Sequence, residues 1–254
     1  MRDAGVLRRG LVLPCGLVAL WALVTHAGLV NTHLFVAPDR VLLAPFTNDD
    51  AAEIWADLGA SFVRLTEGFT IGATLGLLLG IALGLSPLAN RIIGPSFTAL
   101  RQIALFAWIP LLTAWFGNGE PAKLVFVTLA ALFPMALNTQ QGLRTIPVPY
   151  LEAARVLRLS RRQTLMRVLL PAAVPSIFIG FEIGLISAWI GTVGAEYAMG
   201  FGRGVGAFIE AGREQFRMDI VLLGVLAMAL VGFALNALAR QALRRFVVLR
   251  GARP

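Results

Sequence analysis

Charge is scarce in this chain. Asp, Glu, Lys and Arg make up 14% of its 254 residues, where a soluble domain carries roughly 25%. With 57% hydrophobic residues, it has too few polar side chains to cover its own surface in water, so the bilayer comes before any argument about fold. Lysine is nearly absent, Lys123 being the only one among 22 basic residues. Pro121 and Ala122 precede it, so the chain has no G-x-x-x-x-G-K-[ST] loop, whose backbone amides and lysine would hold nucleotide phosphates. Energy for uphill work must therefore come from a partner chain or an ion gradient. Cys15 stands alone in an apolar run, which excludes an intramolecular disulfide and argues against thiol chemistry. His26 and His33 are the only histidines and have no cysteine or carboxylate at ligand spacing, so no metal site or cofactor is expected. G-x-S-x-G is absent, and no His/Asp constellation exists to activate a serine.

What the chain does have is long apolar stretches. Six are free of formal charge or nearly so: residues 11–30, 68–90, 102–119, 124–143, 168–195 (interrupted by Glu182) and 220–239. A spanning helix needs about 20 such residues, and a helix satisfies its own backbone polar groups in lipid. An all-α integral membrane protein of about six transmembrane helices follows. Residues 10–38 carry no charged residue behind Arg2, Arg8 and Arg9. That run exceeds the roughly 7–15 residues of a signal-peptide core, so it reads as a retained first span. Gly72, Gly76, Gly80 and Gly84 recur every four residues on one helix face, which predicts close helix packing.

Placing the N-terminus in the cytoplasm puts 16 basic and two acidic residues on the cytoplasmic side, against six basic and ten acidic outside. This is the positive-inside bias. It accounts for the net charge of +8 without a nucleic-acid partner, and it places both termini inside. Two longer outer segments remain, residues 31–61 with a short helix expected near 51–60, and the Gly-rich 196–219, expected to be helical from about Val205.

The cytoplasmic segment 145–171 is the most informative. After Pro147 and Pro149, residues 150–157 read as a short helix, Arg158 and Leu159 as a turn, and Ser160 as an N-cap with Gln163 at N3, a capping box. A second helix is expected from Arg161 to Pro171. Topology alone would make this a solvated, inside-positive loop. However, Glu152-Ala153-Ala154, then three residues, Arg158, nine residues, Val168, and Leu170-Pro171 resemble the EAA loop of binding-protein-dependent ABC importer permeases. Arg158 stands where that pattern has glycine. A glycine there permits positive φ, and arginine would be strained, so either the turn is built differently or docking is altered. Trp115-Phe116-Gly117, Phe133-Pro134 with Asn138-Thr139, and Ala195-Glu196 before a Gly-rich stretch are similar to the nitrate/sulfonate/taurine branch.

The resemblance implies a type I ABC importer permease-like core at 61–245, with a cytoplasmic coupling helix in loop 145–171. A first helix and outer segment would occupy 1–60, and a tail 246–254. It implies cytoplasmic ATP-binding subunits docked on Leu151, Glu152, Ala153, Ala154, Arg155, Leu157, Arg158 and Ser160. It also implies a periplasmic substrate-binding protein, and a permease homodimer or a paired non-identical permease. The branch points to nitrate, sulfonate or taurine-like anions, with a vitamin precursor as the alternative. Within the spans, Glu67 is expected to pair with Arg64 three residues earlier. Glu182 either faces the pore or pairs with an arginine of the loop region. Asn138, Glu182, Trp189 and Glu196 are the candidates for lining a path, although polar residues also bind helices together. A secondary transporter would need coupling-ion residues and repeated halves, and an enzyme clustered catalytic groups. Neither is evident.

Overall fold

A computed structural model describes residues 3–28, 30, 35–47 and 49–249; His33 and the expected tail from residue 250 onward lie outside the described residues. Every regular element described is helical. They are α1 Asp3–His26, α2 Pro38–Thr47, α3 Asp49–Ala52, α4 Ile54–Leu85, α5 Pro87–Leu100, a 3-10 turn Leu105–Trp108, α6 Ile109–Phe116, α7 Glu120–Arg144, α8 Val148–Val156, α9 Arg161–Thr164, a π turn Leu165–Leu169, α10 Leu170–Met199, α11 Val205–Glu214 and α12 Met218–Leu249.

The bundle is built around α7, which lies between α4 and α10. The glycine stripe of α4 sets that packing. A Cβ at Gly76 would stand 2.6 Å from the Leu132 carbonyl oxygen, and one at Gly80 2.6 Å from that of Ala136. Only glycine allows the two backbones to come so close. Gly68 faces Val127, and Gly84 faces Leu143. Residue numbers therefore rise together along the contact, and α4 and α7 run parallel. Between them the chain must return across the membrane. The returning segment is α5 and α6, joined by the 3-10 turn and bent by 93°. From α7 onward neighbours alternate. Gly142 meets Ser176 and Gly180 meets Asn138, so α10 runs antiparallel to α7. Trp189 Nε1 donates to the Met228 carbonyl at 3.1 Å, and Arg240 Nε to Glu182 at 2.9 Å, so α12 runs antiparallel to α10.

Four described helices are long and apolar enough to cross a membrane, and the α5–α6 pair makes a fifth as one broken span. The α1 stretch Val12–His26 is apolar but shorter; its Trp21 packs against the main core. The expected boundaries are corrected in three places. The helix expected near 51–60 is not separate, because α4 starts at Ile54 and runs 32 residues to Leu85. The charges of Asp57 and Arg64 had hidden its first turns, but both residues are buried. The expected span 102–119 is not a straight helix; its apolar residues form the second half of the broken span. The helix beginning at Arg161 does not stop at Pro171 but continues through the π turn into α10. Pro171 has no N–H for the Arg167 carbonyl and its ring crowds that oxygen; the backbone widens there, with Leu170 N–H bonded to the Leu165 carbonyl.

Candidate functional site

The chain's polar chemistry gathers at the two ends of the bundle. One end holds the C-terminus of α7, the N-terminus of α10 and the loop between them. Pro147 is the N-cap of α8, and Pro149 sits in its first turn, where a missing N–H costs nothing. The helix ends in a Schellman motif: Leu159 N–H bonds the Ala154 carbonyl at 3.0 Å and Arg158 N–H that of Arg155 at 2.9 Å. Arg158 takes φ +47°. The glycine-type turn is thus kept although arginine occupies it, which settles the geometry left open by the sequence. Ser160 Oγ accepts from Gln163 N–H at 3.3 Å and Gln163 Oε1 from Ser160 N–H at 2.9 Å, closing the capping box that starts α9.

Ala154, 3% exposed, is buried on the inner side of α8, which packs on the π turn, and Leu151 is half-buried. Glu152, Ala153, Arg155, Leu157, Arg158 and Ser160 are exposed. Beside them, Tyr150, Val156, Leu157 and Met166 present large apolar side chains, Val156 at 82% exposure. Arg155, Arg158, Arg161, Arg162 and Arg167 are also exposed, and none has an ion pair among the described residues. Five charges bar this surface from lipid, and the bare apolar side chains are unfavourable in water. An arrangement that suits neither solvent suits a protein partner.

The opposite end holds a buried ionic cluster. Glu196 of α10 is fully buried. Its carboxylate pairs with Arg64 Nη1 of α4 and accepts from Ser61 Oγ at 2.7 Å and Gly206 N–H at 2.9 Å. Arg64 also grips Glu120 of α7 through Nε at 2.9 Å and Nη2 at 2.7 Å. Lys123, fully buried, donates to the Phe201 carbonyl. Ser61 Oγ accepts from Val205 N–H at 2.9 Å, and Asp57 Oδ1 from Gly204 N–H at 3.0 Å. The whole cluster clips the loop 200–206 to three helices. Gly204 at φ +150° brings that backbone onto the Glu196 carboxylate.

The expected Arg64–Glu67 pair is corrected, because Glu120 and Glu196 take the guanidinium and Glu67 is exposed. Sequence reasoning missed the cluster because its partners lie 56 and 132 residues from Arg64. The one available signal was opposite charges at matching depth in different spans. Of the four path candidates, Glu196 belongs to this cluster, and Trp189 is buried against α12. Asn138 is half-buried at the α7–α10 contact, its Nδ2 donating to the Pro134 carbonyl at 2.8 Å. Glu182 pairs with Arg240 of α12, not with an arginine of the loop region. The four are not brought together.

Residues 72–248 match the family model described as binding-protein-dependent transport system inner membrane component. The chain belongs to this family. It is a permease component of an ABC importer, a transport subunit and not an enzyme, and the family implies an ATPase and a substrate-binding protein as companions. Among its relatives is SsuC of Escherichia coli (strain K12), named for aliphatic sulfonates transport. It is 38% identical over 220 residues, covering 87% of this chain and 83% of SsuC. The bicarbonate transport system permease protein CmpB of Synechococcus elongatus is 33% identical, covering 89% and 86%. The taurine transport system permease protein TauC of E. coli is 31% identical, covering 92% and 87%. In structure, the chain is similar to a chain of the inward-facing MetNI methionine ABC transporter, with a TM-score of 0.52 at 26% identity over 74% of this chain and 93% of that one.

Proposed function

We propose that this permease carries a small oxyanion, of the nitrate or sulfonate type or taurine-like, across the bacterial inner membrane. ATP-driven movement would reach it through α8. The observation that carries the coupling half is the exposed apolar and arginine surface of a loop whose turn and cap are closed by hydrogen bonds. A short helix set in a partner's groove is a known mode of recognition. Leu157, Tyr150 and Arg155 form the contact face, with Glu152, Ala153, Arg158 and Ser160 at its rim, while Leu151 and Ala154 anchor the helix to the bundle. The Schellman turn and capping box join α8 to α10 without slack, and Thr145–Pro147 join it to α7. Displacing α8 therefore tilts α7 and α10 together.

The charge bias along the chain supports placing this loop and both termini in the cytoplasm, with the ionic cluster facing the binding protein. A second copy of the chain completes the path. Asn138 and Glu182, which keep partial exposure, are the better path candidates; Glu196 and Trp189 would act by holding the gate helices. The names of the relatives support the substrate class.

The test is a mild-detergent pull-down of the tagged chain from its native membrane. A co-purifying ATPase, lost in Leu157→Asp but kept in Glu67→Gln, is the expected result. A chain that purifies alone, with uptake following an ion gradient, would overturn the coupling reading.

A further inference from the structure

A cavity of about 940 Å3 opens at the same end of the bundle as the α7–α8 loop, among the end of α4, the length of α5 and the last turns of α7. Its polar lining is Asn90, Arg91, Thr98, Gln140 and Arg144. That inventory is two guanidiniums, two amides and a hydroxyl, with no carboxylate. The groups are held in place. Gln140 Nε2 donates to Asn90 Oδ1 at 3.0 Å, fixing both amides, and Arg144 Nη2 donates to the Leu83 carbonyl at 3.1 Å, which pins its guanidinium to the wall. Gly94 leaves room for the Asn90 amide, since a Cβ there would stand 2.9 Å from Asn90 Oδ1. Arg91 is exposed and has neither an ion pair nor a side-chain hydrogen bond among the described residues. An inside-positive bias accounts for arginines at this end, but not for two of them, from different helices, converging on one cavity without a carboxylate.

We propose that this cavity binds an oxyanion, a phosphate or sulfonate group held between Arg91 and Arg144. Guanidiniums bind such groups through paired, charge-assisted N–H donors. Asn90 Nδ2 and the Thr98 hydroxyl add neutral donors. Arg144 ends α7, and Pro147 caps α8 three residues on. A bound anion thus ties α5, half of the broken span, to the root of the coupling loop. The same group can come from the headgroup of an anionic lipid or from a free anion. The proposal does not depend on the transport reading.

The full chain, reconstituted in phosphatidylcholine nanodiscs with or without phosphatidylglycerol, gives the test. Native mass spectrometry counts retained phosphatidylglycerol, and calorimetry measures inorganic sulfate in the discs without it. Saturable binding of either probe is expected, falling at least about tenfold in the Arg91→Gln/Arg144→Gln variant. Arg101→Gln, which removes as much charge as Arg91→Gln alone but outside the cavity, should leave it unchanged. Phosphatidylglycerol alone identifies a lipid site, sulfate alone a soluble-anion site, and mutual competition a site open to both. Arg91→Gln alone, which breaks no internal bond, must also weaken binding. The proposal is overturned if neither probe binds, if Arg91→Gln binds like the parent, or if Arg101→Gln weakens binding as much.

Discussion

At the end of the bundle where α7 begins, Arg64, Lys123 and Glu196 are buried, and each ends on a partner. At the end where α7 stops, five loop arginines stand exposed, with no ion pair among the described residues. The same chemical types are thus used in two ways. Buried charges in a spanning bundle are costly unless they are paired and hydrogen-bonded, so the first end is a finished structure. Its contacts are internal, and their loss is felt as instability. The second end is unfinished, and its loss is felt only when a partner is present. Stability and association should therefore separate cleanly between the two.

The strongest way to break that contrast is Glu196→Ala. It takes from the buried Arg64 one of its two carboxylates and strips Gly206 N–H and Ser61 of their acceptor. A loss of about 3–5 kcal/mol is expected, read as collapse of the monodisperse peak and a large drop in thermal midpoint in detergent. Next comes Leu157→Asp at the other end. It should leave that midpoint unchanged yet weaken ATPase association at least about tenfold, or about 1.4 kcal/mol; equal damage to both would dissolve the distinction. Arg158→Gly relieves a left-handed arginine and should stabilise α8 by about 1 kcal/mol, seen as slower proteolysis of the loop. Phe216, at φ +55° and closing the same Schellman pattern after α11, gives the matching test at the opposite end. Glu120→Gln should cost less than about 1 kcal/mol, and less still in high salt, because Glu120 is 63% exposed.

The smallest effect concerns Glu210. Arg213, first, and Tyr197 hold its carboxyl below the ordinary range through hydrogen bonds. A depressed carboxylate favours the fold above the ordinary carboxylate range, and that contribution fades as pH falls through its lowered value. Glu210→Gln should flatten this acid limb of the unfolding curve slightly. A steeper limb would show the assignment to be wrong.

What could be read from the sequence was local. The capping box spans four residues and is set by neighbours in the chain, as is the position of the turn at Arg158 and Leu159, although its left-handed geometry was settled only by the structure. The spans were visible as stretches without charge, and α11 appeared at Val205 as expected. The criterion failed where charge is neutralised from afar. Asp57 and Arg64 fell outside the expected span 68–90 because Gly204, Glu120 and Glu196, which satisfy them, are distant in sequence. The same distance sent Arg64 to the wrong glutamate. The break between α5 and α6 was hidden because hydropathy records depth but not direction. The expected span at 102–119 already implied a return between α4 and α7; only the structure shows that two helices bent by 93° make it.

That broken return also bears on how the protein is made. At 1.5 Å per residue, the 14 residues of α5 and the 8 of α6 reach about 21 and 12 Å, short of the roughly 30 Å hydrocarbon core. Neither half can be released from the insertion machinery as an independent span. The crossing is completed only after α7 has been synthesised and can cover the exposed backbone at the bend. Insertion of the returning segment is therefore expected to depend on α7, so that a chain cut before Glu120 should leave α5 and α6 short of a stable crossing.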